Sequence, residues 1–257
     1  MDAVDWSAFS AAEVLALADT VARVARALAR AVPAPRGAPR FGLDMAIADP
    51  DLLDRFSRHG IFRKYQRAVA FGSGLGGVQR WWAVHFGCSV LSVDPHAGVI
   101  EAAAKLGKPT GLGERTTFQE APLTNLPMRG ERFTHAWSVE GLLAQADPAA
   151  LLAEVRRVLR PAGLLTFVLR GGGSDDPDIV RWTDAVSAAG FISVAVKRLP
   201  PPELPYAVYY AEHVLRAALK ETFTGAHRGR LLELAAQLAA ARSTSTPRVL
   251  LFAERPS

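Results

Sequence analysis

The sequence predicts a doubly wound α/β fold, a mostly parallel sheet covered by helices on both faces. Three observations carry that expectation. From residue 67 onward, short apolar runs alternate with amphipathic stretches of helical length, the pattern of strand–helix–strand units. Directly after the first apolar run, residues 72–77 hold four glycines in six positions, which suits a turn from strand to helix rather than the interior of either. The chain of 257 residues is 49% apolar and 21% charged, enough for one large α/β domain with a real core.

In chain order, Val14, Leu17, Ala18, Val21, Ala25 and Leu28 recur at helical spacing, with Arg23, Arg26 and Arg30 on the opposite side. Pro33 and Pro35 end that helix, and "PAPRGAP" is a loop by composition. "DPDLLDRFSRHG" is a second helix that opens on Asp-Pro and stops at Gly60. These pieces form a helical cap over residues 1–64. A core over residues 65–200 follows: strands "RAVAFG", "SVLSVD", "RTTFQE", "RFTHAWSV", "GLLTFVLR" and "FISVAVKRL", separated by the helices "GGVQRWWAVHFG", "HAGVIEAAAKLG", "PAALLAEVRRVLR" and "DIVRWTDAVSAAG". A helical lid insertion occupies 201–246, and residues 247–257 return to the sheet as "RVLLFAER". The whole of 1–257 reads as one domain.

Composition removes several functions. The single cysteine, Cys88, excludes an internal disulfide framework and a cysteine zinc cluster. The six histidines never fall into paired ligand spacing, so no catalytic metal is expected. Runs such as "LLTFVL" are too short to span a bilayer, and "MDAVDWSAF" lacks the basic start and apolar stretch of a signal peptide. The expectation is a cytoplasmic protein without a membrane span. The net charge of +5 comes from arginines scattered among acids, so no dedicated nucleic-acid surface is expected. A homodimer is left open.

In a doubly wound sheet, ligands bind at the carboxyl ends of the strands. Gly72, Gly74, Gly76 and Gly77 sit at the first such end, with the small hydroxyl of Ser73 among them. The helix they open turns its first N–H groups toward the crevice. The next strand ends in Asp94, where a carboxylate can accept both hydroxyls of a ribose. The glycines therefore let the backbone lie against a nucleoside-containing cofactor. "GSGLGG" fits both G-x-G-x-G and G-x-G-x-x-G, so at this point a nicotinamide cofactor also fits.

From about residue 65 to 170 the chain resembles the class I S-adenosylmethionine-dependent methyltransferases, in particular the branch that modifies sterols, ubiquinone and natural products. "FGSGLGG" looks like that family's glycine motif, "LSVDP" its ribose-binding strand end, and "TFQEAPLTNLPM" its adenine loop. "RFTHAWSVEGL" resembles the strand that approaches the transferred methyl group, and "LLAEVRRVLRPAGLL" is the most specific match. "AVSAAGFISV" and "PRVLLFAERP" extend the similarity toward the C-terminus. The resemblance implies a Rossmann-like sheet of seven strands with the last antiparallel. It also implies S-adenosylmethionine as cofactor and methyl transfer to a small-molecule acceptor on O, N or C.

Carried onto this chain, the resemblance marks Gly72, Ser73, Gly74, Gly76, Asp94, Pro95, His96, Glu120, Ala121 and Ser138 as cofactor-binding, with His96 packed on the adenine. Glu140, just past the fourth strand, is the first choice for a polar group at the reacting centre. Tyr206, Tyr209, Tyr210 and His213 fall on one helical face of the expected lid. The three tyrosines there read as substrate-facing and His213 as a second catalytic candidate. His135, inside a strand, reads as a buried structural histidine. Three positions depart from the family: Ala70 and Pro122 stand where it carries acids, and Thr134 replaces the aspartate of its "F-D" pair. They motivate an alternative, a chain of the same fold that transfers no methyl group. Such a chain acts as a cyclase-type enzyme with a structural cofactor or as a non-catalytic partner subunit.

Overall fold

The computed structural model describes residues 6–16, 18–19, 64–108, 111–139, 141–142, 148–199 and 247–257. Within them lie seven strands: β1 (Arg67–Phe71), β2 (Ser89–Asp94), β3 (Thr116–Glu120), β4 (Phe133–Val139), β5 (Leu159–Arg170), β6 (Ile192–Arg198) and β7 (Arg248–Glu254). Helices α1 (Gly77–Phe86), α2 (Ala97–Gly107), α3 (Pro148–Val158) and α4 (Pro177–Ala188) alternate with them. All strands join one sheet in the order β3-β2-β1-β4-β5-β7-β6. β1 to β5 pair in parallel, whereas β7 runs antiparallel between β5 and β6. The seven-stranded mixed sheet with an antiparallel last strand is the one the sequence led us to expect. Chain order runs outward from β1 to β3 and then returns to β4 beside β1, a reversal that opens a crevice at the strands' carboxyl ends.

The core has two layers because strand residues alternate between the faces. On one face Val69, Phe71, Val93, Ala136, Leu165 and Phe167 cluster with Leu151, Leu152 and Val155 of α3 and Ile179, Trp182 and Val186 of α4. Phe167 and Trp182 meet edge to face with ring centroids 5.9 Å apart, a preferred aromatic geometry. On the other face Ala68, Ala70, Val90, Trp137 and Leu250 cluster with Val78, Trp81 and Trp82 of α1. The small alanines of β1 leave room there for Trp82 and Trp137, whose centroids lie 4.2 Å apart. α4 is stopped at its start by Asp176, whose side chain accepts the Asp178 N–H at 3.1 Å, with Pro177 in the first turn.

The start of β5 differs from the sequence expectation. The apolar run suggests a strand from Gly163, yet β5 begins at Leu159 and passes through Pro161. Leu159 pairs with Phe133, and the register then shifts so that His135 faces Leu164. The extra residues are held from the side, by the Ala162 N–H on Arg255 O at 3.0 Å and the Arg255 N–H on Gly163 O at 2.9 Å. The strand edge, not the local sequence, supplies the missing pairing.

Of the expected N-terminal cap, residues 11–16 and 18–19 are described as helix. This helix lies along α2 in the same sense. Ala11 sits so close to Gly98 that a Cβ on Gly98 would fall 2.6 Å from Ala11 Cα, and eight residues on Asp19 pairs with Lys105 at 2.8 Å. Both partners of that pair are about half exposed, so the close backbone approach at Gly98, not the ion pair, locates the helix. The rest of the cap and the expected lid over 201–246 lie outside the described residues.

Candidate cofactor site

The glycine turn leaves the centre of the sheet. The Gly72 N–H still bonds Val93 O at 3.0 Å, extending the β1–β2 ladder, and the Gly76 N–H closes the turn on Ser73 O at 3.2 Å. Gly72, Gly74 and Gly76 have φ of +67°, +51° and +82°, the left-handed region that side chains resist. Their surroundings differ. A Cβ on Gly72 would meet Gly141 O at 2.5 Å, and one on Gly76 would meet the Phe118 ring at 2.4 Å. Among the described residues, a Cβ on Gly74 would have no heavy atom within 4 Å. Among the described residues nothing covers the outer surface of the turn at Gly74, while its two ends are packed against chain.

Below the turn, the Arg80 side chain is fully buried. Its Nη1 donates to Leu75 O at 2.9 Å and to Ala103 O at 3.3 Å, tying the turn to α2. Ser73 is buried, and its Oγ lies 3.4 Å from Gly74 O.

Asp94 closes β2 beside the turn and is 3% exposed. Its Oδ1 accepts the His96 N–H at 3.1 Å and lies 2.8 Å from His96 Nδ1. Neither contact uses Oδ2, so that oxygen is the one available to a hydroxyl. Glu120 is the register partner of Asp94 on β3 and is exposed. Ala121 is buried, and its N–H bonds Asp94 O at 3.1 Å. Pro95 is exposed at the rim. The fold thus gathers Gly72 to Gly76, Asp94 to His96, and Glu120 with Ala121 at the carboxyl ends of three adjacent strands. Ser138 reaches the same edge from β4, but its Oγ donates to Phe71 O at 2.9 Å, which binds β4 to β1. Glu140, Tyr206, Tyr209, Tyr210 and His213 lie outside the described residues.

The three departures from the family pattern have local physical settings. Ala70 belongs to the buried cluster of Trp82 and Trp137, where a carboxylate would lose its hydration. Thr134 Oγ1 accepts the Arg67 N–H at 3.2 Å and donates to Arg67 O at 2.9 Å, so it ties the starts of β4 and β1 together. Pro122 is exposed, and its carbonyl accepts the Asn125 N–H at 3.1 Å, closing the turn after β3.

Sequence reasoning missed Gly141, Phe118 and Arg80. Gly141 and Phe118 reach the turn from other elements, and Arg80 ties it from α1 across to Ala103 of α2. Only Phe118, two residues before Glu120 on the same strand, had a signal in local periodicity.

Two titratable groups near the centre of the sheet have displaced pKa values. Burial lowers His135 to about 4, which keeps its imidazole neutral at pH 7. Its Nδ1 lies 2.9 Å from Thr134 Oγ1, in keeping with the structural role expected of it. Burial pushes the Cys88 thiol up to about 11, so it is no nucleophile at neutral pH. Among the described residues no group of His, Cys, Asp and Glu could hold a metal ion, and no helix is long and apolar enough to cross a membrane.

Residues 69–167 match the family model described as "Methyltransferase domain". The chain is 30% identical over 108 residues to Methyltransferase GfsG of Streptomyces halstedii, covering 41% of this chain and 39% of that protein. It is 27% identical over 106 residues to the chloroplastic tocopherol O-methyltransferase of Arabidopsis thaliana, covering 41% and 30%. These matches span less than half the length of either relative. Among solved structures, the [4+2]-cyclase SpnF superposes with a TM-score of 0.62 at 20% identity, over 80% of this chain and 81% of that one. Geranyl diphosphate C-methyltransferase from Streptomyces coelicolor A3(2), solved with Mg2+, geranyl diphosphate and S-adenosyl-L-homocysteine, gives 0.56 at 16% identity over 83% of each chain. The structural likenesses establish a shared fold.

Proposed function

We propose, for a chain whose residues 69–167 match the family model described as a methyltransferase domain, the transfer of a methyl group from S-adenosylmethionine to a small-molecule acceptor. The observation that carries the proposal is the pairing of an open glycine surface at Gly74 with the buried Asp94 carboxylate at the same edge of the sheet. The residues present fit the cofactor. Gly74 has room for a ligand against its backbone, and Asp94 Oδ2 is placed to accept from a ribose hydroxyl. When bound, the cofactor supplies an electrophilic methyl group on a sulfonium. The protein's part is to hold the adenosine, align the acceptor in line with the methyl group and exclude water. Glu140 is assigned to the reacting centre, and the Tyr206, Tyr209, Tyr210 and His213 face to the acceptor, on the sequence pattern.

Calorimetric titration with S-adenosylmethionine, S-adenosylhomocysteine and NAD tests the cofactor. Binding of the first two but not the third is the expected result, and binding of NAD alone would overturn the proposal. Asp94→Ala is expected to weaken S-adenosylhomocysteine binding by about 1.5–3 kcal/mol, the range for a hydrogen bond to a charged group, with the fold intact. Gly74→Ala is expected to cost about 1–2 kcal/mol of stability through its positive φ and to weaken binding about tenfold or more. Unchanged affinity in a folded Gly74→Ala protein would mean that the turn serves the backbone only.

A second reading, a chain that keeps the cofactor without transferring its methyl group, is favoured by one feature: Ala70 stands among tryptophans where the family carries an acid. The fold it shares with the [4+2]-cyclase SpnF is compatible with that reading. Incubation with radiolabelled S-adenosylmethionine and small-molecule extracts separates the two. Label transfer by wild type, reduced in Tyr209→Phe and His213→Ala, supports methyl transfer. Tight cofactor binding with no transfer to any acceptor supports the second reading.

A further inference from the structure

We infer that His96 is a positioning residue, which holds the Asp94 carboxylate in one orientation and so reserves Oδ2 for a single ribose hydroxyl. The inference rests on the proposed cofactor reading and deepens it. The family resemblance implies a side chain packed on the adenine at this position, whereas the geometry points to a hydrogen-bonding role.

A carboxylate at a strand end can rotate about its last bond and present either oxygen to a ligand. Here both contacts from the following loop fall on Oδ1: the His96 N–H at 3.1 Å and the imidazole Nδ1 at 2.8 Å. Pro95 fixes the turn that brings them back, since its ring locks φ. His96 then stands at the N-cap of α2 in extended conformation, with φ −100° and ψ 107°. The α2 helix is itself pinned at Gly98 by the close approach of Ala11. The carboxylate is thus held through a short chain of rigid parts. With its proton on Nδ1 the imidazole donates to the carboxylate. A ring tied to the carboxylate at 2.8 Å has given up much of the freedom it would need to settle on an adenine face. Its side chain is 36% exposed, so it stands at the rim of the site.

The test compares S-adenosylhomocysteine affinity, by calorimetry, of wild type, His96→Asn, His96→Phe and His96→Ala, with thermal midpoints measured without ligand. Asparagine keeps an N–H donor near the position of Nδ1 and has no ring. Phenylalanine keeps a ring and has no donor. The expected result is His96→Asn within about threefold of wild type, and His96→Phe and His96→Ala each about tenfold weaker. A His96→Asn protein as weak as His96→Ala overturns the inference, as does a His96→Phe or His96→Ala protein with wild-type affinity. Wild type that binds no S-adenosylhomocysteine defeats the cofactor reading instead, a result visible before any variant is made. A ligand-free measurement stands beside these. The Nδ1 proton of His96 is expected as a protected signal in nitrogen-correlated spectra of wild type and to be lost in Asp94→Ala. Its absence from wild type would overturn the hydrogen bond itself.

Discussion

Glu154→Ala is expected to lower the unfolding free energy by about 3 kcal/mol, the lower end of the range for a buried ion pair that loses one partner. Glu154 belongs to the motif "LLAEVRRVLRPAGLL" and is 6% exposed. Its Oε1 accepts the Leu126 N–H at 2.6 Å. Arg157 grips the carboxylate twice, Nη2 on Oε1 at 2.5 Å and Nε on Oε2 at 2.6 Å. The same guanidinium donates to Met128 O at 2.8 Å and Leu126 O at 3.1 Å. The pair therefore clamps the loop after β3 onto α3.

Alanine at 154 would leave the buried Leu126 N–H unpaired and Arg157 without its counter-ion. The Arg157 side chain is 40% exposed, so water relieves part of the stranded charge, and the estimate stays at the lower end. Burial by itself would raise the Glu154 carboxyl, but the hydrogen bonds from Arg157 and Leu126 together hold it below the ordinary carboxylate value. With the folded value depressed, the contribution is complete above the ordinary carboxylate range and is lost as pH falls through the lowered value. Urea denaturation of wild type, Glu154→Gln and Glu154→Ala at neutral pH checks the prediction. Glutamine, which keeps the shape, should fall between the other two. A loss under about 1 kcal/mol for alanine would show the pair to be no more than a surface bridge.

The second large effect is a dependence of stability on pH set by His135. Burial lowers it from 6.5 to about 4 in the folded protein. Between those two values the unfolded chain binds a proton that the folded chain refuses. Its contribution is therefore complete above about pH 6.5 and is lost as pH falls through about 4. At about 1.4 kcal/mol per unit, the full window is worth about 3 kcal/mol. Carboxylates titrate in the same region, so the comparison must be with a variant. His135→Asn keeps a donor toward Thr134 and removes the titration. Urea denaturation at several pH values should show wild type losing about 3 kcal/mol more than His135→Asn between pH 7 and pH 4. Parallel curves for the two proteins would mean that water reaches the imidazole.

By itself the sequence determined the alternation of strands and helices, the glycine turn and the carboxylate at the end of β2. Hydrophobic period, turn chemistry and strand-end position are local properties that a few neighbouring residues carry. The tertiary structure decided which of these parts touch. Ser138, marked as cofactor-facing in sequence, lies 67 residues from Phe71, yet its hydroxyl is used on the Phe71 carbonyl. Gly141 lies against Gly72 so closely that neither could carry a side chain without moving the other. β5 begins four residues before its apolar run because Leu159 finds Phe133 and the bulge leans on Arg255. Arg80, one more arginine in an arginine-rich chain, turns out to be fully buried and to tie the glycine turn to α2. A hydrogen bond between residues tens of positions apart leaves no mark on the spacing of either. Only the assembled sheet, which sets strand order and register, determines which side chains become partners and which atoms remain for a ligand.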